Sequence, residues 1–230
     1  MSDHSDVEPR AVRVWDLPTR LFHWALALGV PALLITGRIG GGAMDWHLRV
    51  GLAVGALLLF RLAWGLAGGR WSRFASWPAG PAALGRYLRG RPAQGDNFGV
   101  GHNPLGSWSV LTALALLLLQ VASGLVADDE ISVSGPLNRH VSGHSASLAT
   151  HWHTTWGQWL LLAWAGLHLA ALAWHRWRHG QRLVRAMISG DKLLPRGTPA
   201  SADGPRQRIA ALLLALICAG LALVVGRQGA

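Results

Sequence analysis

The chain has a single cysteine, Cys218, in 230 residues. No disulfide framework can form within it, and the absence of any Cys-x-x-Cys-His run excludes covalent attachment of a c-type haem. Charged residues are scarce as well, at 14% against 51% hydrophobic, which is too apolar for an ordinary soluble domain of this length. Acidic residues are the scarcest charge, 11 against 21 Lys and Arg, leaving a net charge of +10. Such an excess would suit nucleic acid, but the bases are not interleaved with a soluble aromatic surface. They gather in two blocks between apolar segments, which is a membrane pattern and argues against a nucleic-acid partner. The polar N-terminal stretch "MSDHSDVEPRAVRVWDLP" has no signal-peptide h-region, so the hydrophobic stretches are expected to be retained spans.

What the chain does have is five runs long and apolar enough to cross a bilayer, which takes about 20 residues. They are residues 17–38, 45–67, 104–127, 150–177 and 208–226. Asp16 with Pro18, and Asn103 with Pro104, read as helix caps with proline in the first turn. This gives four segments: an N-terminal tail at 1–14, a main transmembrane domain at 15–192, a Pro/Gly/Ser-rich linker at 193–207 and an additional helix at 208–230. Arg70, Arg73, Arg86, Arg89 and Arg91 follow the second span, and a second block runs from Arg176 to Arg208. The positive-inside rule puts both blocks and the N-terminus in the cytoplasm, in a multi-pass protein surrounded by membrane lipid. Trp15, Trp24, Trp71, Trp77, Trp108, Trp174 and Trp177 then read as a cytoplasmic belt, and Trp46, Trp152 and Trp156 as an outer one. Trp164 and Trp159 read as core filling.

Ionisable residues inside spans are expensive and mark function. His23 lies at the cytoplasmic level of the first span and His47 at the outer level of the second. In the fourth span His153 is at the outer end, and His168 is 15 residues on, about 22 Å deeper and about 60° around the helix. The depths give an outer pair, His47 with His153, and an inner pair, His23 with His168. Bis-imidazole pairs in a helix bundle suit haem iron. Zinc would need three or four ligands at one depth. Gly51 and Gly157 stand four residues after His47 and His153 and leave space for a porphyrin edge, or else allow close helix packing. His4, His102, His140, His144, His151 and His179 read as interfacial, while His175 shares a face with His168 and geometry alone leaves both open. Haem propionates would seek Arg49 at the outer level and Arg20, or Arg61, at the inner level, unless the latter two snorkel to headgroups.

These residues sit within longer stretches, "WDLPTRLFHW", "HLRVGLAVGALLLFRLAWG", "GHNPLGSWSVLTALALLLLQVASGL", "HTTWGQWLLLAWAGLHLAAL" and "LVRAMISGDK". Together they resemble the bacterial cytochrome b561 and nickel–iron hydrogenase b-type cytochrome family, from about Trp15 to Lys192. The resemblance implies an all-α integral membrane fold, with a four-helix transmembrane bundle holding two non-covalent haem b groups and a fifth, C-terminal helix outside the pattern. It implies His23 and His168 as ligands of the cytoplasmic-side haem, in preference to His175, and His47 and His153 as ligands of the periplasmic-side haem. It also implies electron transfer across the bacterial inner membrane, as part of a respiratory chain, between quinone or quinol and a redox partner. A periplasmic c-type cytochrome, a dehydrogenase subunit or a second copy of the chain are the candidate partners. The protein would be an oxidoreductase in its own right or the haem-bearing anchor of a larger enzyme such as a hydrogenase; a histidine-dependent metal or ion transporter is the reading from a different class. The family pattern commonly separates the two fourth-helix ligands by fourteen residues, and here the spacing is fifteen. Either a π-helical turn absorbs one residue, or His151 replaces His153.

Overall fold

The computed structural model describes residues 8–131 and 133–229. His4 and the start of the N-terminal tail lie outside them. Among the described residues the regular structure is helical apart from one two-stranded sheet. In order it forms β1 (Arg10–Arg13), α1 (Leu17–Ile39), α2 (Met44–Ala67), α3 (Pro81–Leu88), α4 (Pro104–Val126), α5 (Gly143–His151), a π-helical turn (Trp152–Gly157), α6 (Gln158–His179), α7 (Leu183–Ser189), β2 (Asp191–Leu194) and α8 (Pro205–Gly226). Among the described residues five helical segments are long and apolar enough to cross a membrane; the fourth is continuous from α5 through the π turn to α6. Large apolar side chains stand exposed along them, such as Leu28, Leu66 and Leu167, at 74%, 76% and 71% exposure. Lipid is as apolar as leucine, so those faces lose nothing by remaining uncovered in a bilayer.

Both expected caps are present. Asp16 Oδ1 accepts from Thr19 N at 2.9 Å, and Asn103 Oδ1 accepts from Gly106 N at 2.7 Å. The chain divides into two compact units, one of residues up to Leu21 with Leu62–Leu111 and Leu169–Ala211, the other of Phe22–Arg61, Thr112–His168 and Leu212 onward.

In the first unit β1 pairs antiparallel with β2, Arg10 opposite Leu194 and Arg13 opposite Asp191. Residues that read as tail and linker are thus tied together. Val14, Trp15, Trp71, Val100 and Ala186 form a buried cluster beside them. Three tryptophans placed by sequence in the cytoplasmic belt are in fact interior: Trp15, Trp71 and Trp77 are 7%, 5% and 9% exposed. The loops fold over them and supply partners such as Pro199 O, 2.8 Å from Trp71 Nε1, so their polar edges do not need the headgroup region. His102 is not interfacial either; it packs against Trp15 and Trp77 with ring centres 4.8 and 4.7 Å away. Asp16 is fully buried, and its carboxyl accepts from Thr19 N, Trp64 Nε1, Gly69 N and Ser72 Oγ.

The second unit is helical. Gly29 of α1 meets Val54 of α2, Gly55 of α2 meets Val121 of α4, and Gly226 of α8 meets Leu52 of α2. Small residues at these points let the helices approach closely.

Candidate functional site

His47 and His153 come together in the second unit, with ring centres 6.0 Å apart and planes at 85°. Both line one cavity of about 490 Å³, whose wall combines leucines and valines with glycines and a few polar side chains. That volume falls in the range of about 300–1,000 Å³ that holds a cofactor-sized ligand. Two imidazoles at one cavity of that size are a donor set that suits a metal-bearing cofactor.

Each imidazole is oriented in the same way. His47 Nδ1 lies 3.0 Å from the carbonyl of Leu33, with Thr36 Oγ1 at 3.3 Å. His153 Nδ1 lies 2.9 Å from the carbonyl of Gln120, with Ser123 Oγ at 3.4 Å. A carbonyl only accepts, so Nδ1 carries the proton and donates, which leaves Nε2 with a lone pair. That is the protonation state a metal ligand requires. The next residue on each supporting helix is glycine. A methyl group added at Gly37 would lie 3.1 Å from Cε1 of His47, and one at Gly124 only 2.7 Å from Cε1 of His153.

The π turn falls where the fifteen-residue spacing calls for an extra residue to be absorbed. A π turn releases a main-chain carbonyl from the regular ladder. Here His153 O accepts from Gln120 Nε2 at 2.8 Å, so Gln120 holds His153 at two points. His151, by contrast, is exposed.

The other predicted residues are placed as follows. His23 and His168 are both half-buried. His23 Nδ1 is buried with no hydrogen-bond partner, and Trp24 stands edge-on to its ring at 5.1 Å. Trp164, read as core filling, stacks on His168 at 5.3 Å and 13°; Trp159, read in the same way, is 58% exposed. His175 pairs with His179, ring centres 5.5 Å apart. Gly51 lines the cavity, with Leu33 Cδ2 3.9 Å from where its Cβ would be. At Gly157 a Cβ would collide with Gln120 Oε1, so this glycine admits the Gln120 side chain. Arg49 is exposed, over the Trp46 ring at 5.5 Å. Arg20 donates to Ile188 O. Arg61 is 2% exposed, so it does not reach out to headgroups. Among the described residues no group of three or more His, Cys, Asp or Glu is arranged to hold a metal.

Sequence reasoning missed three contributors. Arg38, in the last turn of α1, lines the cavity with Nη2 3.5 Å from Gln158 Oε1. The end of α8 lines it too, through Gly226, as does Gly229 beyond it. Gln120 was the third, an amide within an otherwise leucine-rich run, which is itself a signal.

A family model described as prokaryotic cytochrome b561 matches residues 14–190. Comparison with curated proteins and with solved structures returned no match.

Proposed function

The chain belongs to the prokaryotic cytochrome b561 family, and on that premise we propose that it is a two-haem cytochrome exchanging electrons between the quinone pool and a redox partner across the bacterial inner membrane. Membership makes it a multi-pass membrane b-type cytochrome of transmembrane electron transfer that binds haem b. The observation that carries the finer reading is the meeting of His47 and His153, each with Nδ1 bonded to a carbonyl, at one apolar cavity.

In this reading His47 and His153 ligate the outer haem through Nε2, and His23 and His168 the inner one. Bound haem supplies a one-electron carrier whose iron alternates between ferric and ferrous. The protein contributes orientation and dielectric. Leucines and valines give the outer cavity an apolar lining, and Arg38, which also lines it, offers a cation for the propionate carboxylates. The basic blocks at 70–91 and 176–208 support a cytoplasmic N-terminus.

The test is the reduced-minus-oxidised spectrum and the haem-to-protein ratio of the purified full chain, expressed with ample haem. The expected result is b-type bands at about two haems per chain, since each bis-imidazole pair serves one iron. Absence of b-type bands overturns the proposal.

A further inference from the structure

Two short patterns on different helices repeat the same construction. In "LLITG", residues 33–37, and "QVASG", residues 120–124, a carbonyl-bearing residue is followed three positions later by a hydroxyl and four positions later by glycine. On a helix these three positions share one face. In both cases that face meets an imidazole: the carbonyl accepts from Nδ1, the hydroxyl oxygen lies at 3.3–3.4 Å, and the glycine leaves the gap the ring occupies. The inner pair has no such cradle at His23, whose buried Nδ1 meets no acceptor.

We propose that Thr36–Gly37 and Ser123–Gly124 are positioning residues. They press His47 and His153 onto main-chain carbonyls and so make the outer pair the more electron-donating ligand set and the outer haem the harder of the two to reduce. The inference rests on the ligand assignment proposed above. Hydrogen-bond donation from Nδ1 raises the basicity of the ligating nitrogen, and a more basic ligand favours the ferric over the ferrous state. Gly124 is the tighter cradle. A methyl group there must displace the ring from Gln120 O, whereas at Gly37 the ring has to yield by only a few tenths of an ångström.

The experiment is a spectroscopic redox titration of the full-length protein, with the ferric low-spin electron paramagnetic resonance signal as a second readout. The native protein is expected to titrate in two steps, with the outer haem reduced second. That haem is identified as the one lost in His153→Ala. Gly37→Ala is expected to raise the outer potential and alter the outer ferric signal while leaving the inner haem unchanged. Gly124→Ala should act in the same direction more strongly, up to selective loss of the outer haem. Gly101→Ala is the control. It introduces a methyl group at a similarly tight contact, 3.1 Å from Trp71 Cε3 in the first unit, that touches no residue lining the cavity, and both potentials should stay in place. The inference is overturned if Gly37→Ala and Gly124→Ala titrate like the native protein, if Gly101→Ala shifts the outer haem as much as Gly37→Ala, or if the outer haem is reduced first. Each of these results needs two haems in the native protein; their absence defeats the functional reading instead.

Discussion

The outer and inner histidine pairs share one long helical span but are held by different means. His47 and His153 are fixed by main-chain carbonyls and glycine gaps, whereas His23 and His168 are flanked by tryptophan. A carbonyl acceptor selects which nitrogen carries the proton. An aromatic neighbour constrains the plane of the ring and leaves the proton unassigned. The outer pair is therefore preorganised in chemistry as well as position, and the inner pair mainly in position.

The sharpest way to separate the two pairs is to delete one member of each. His153→Ala or His47→Ala should remove the outer haem alone, and His23→Ala or His168→Ala the inner haem alone, halving the haem-to-protein ratio in each case. His151→Ala should leave the ratio intact; a halved ratio there would transfer the outer ligand to His151. Next in size is Gln120→Leu, which removes the side-chain bond to His153 O but keeps the main-chain acceptor. Loss of such supporting partners typically costs about 10–100-fold in metal affinity, so outer-haem retention in a competition against apomyoglobin should fall while inner retention holds.

Arg38→Leu should weaken outer retention by about tenfold, in keeping with loss of one charged hydrogen bond of about 1.5 kcal/mol. Arg49→Leu, on an exposed side chain, should do so less; the reverse order would return the propionate role to Arg49. The smallest effect lies away from both pairs. Burial lowers the Lys192 amine from 10.5 to about 8. The unfolded chain then binds more protons than the folded one between those values, so stability should rise as pH increases from about 8 to about 10.5. Thermal melting in detergent should show that slope, and Lys192→Met should flatten it without moving either haem potential.

The spans and their caps were readable because hydrophobic length and capping chemistry are local properties. Asp16 and Asn103 cap as their residue types dictate, and the fifteen-residue spacing left two readings, a π turn or a change of ligand to His151, of which the π turn is present in the fold. The cradles were harder to see, since Ser-Gly or Thr-Gly within a span is also what plain helix packing uses. Only the meeting of α1 with α2, and of α4 with the π turn, shows which carbonyl faces which imidazole. Arg38 was overlooked in favour of Arg49 because distance along the chain from a histidine is a poor guide to distance in space. Trp15 and Trp71 are buried in a cluster against which Leu194 of β2 packs, and β1 and β2 are strands of four residues nearly the length of the domain apart, with no period to announce them.

Asp16 has a bearing on how the chain is made. All its donors, from Thr19 to Ser72, lie within the first third of the sequence, and Thr19 Oγ1 also bonds Ser72 Oγ at 2.8 Å. The first helical hairpin can thus satisfy its one buried carboxyl as soon as it leaves the ribosome, before either residue from the fourth span exists. His23 and His47 would then wait on an already closed hairpin for their partners to be synthesised.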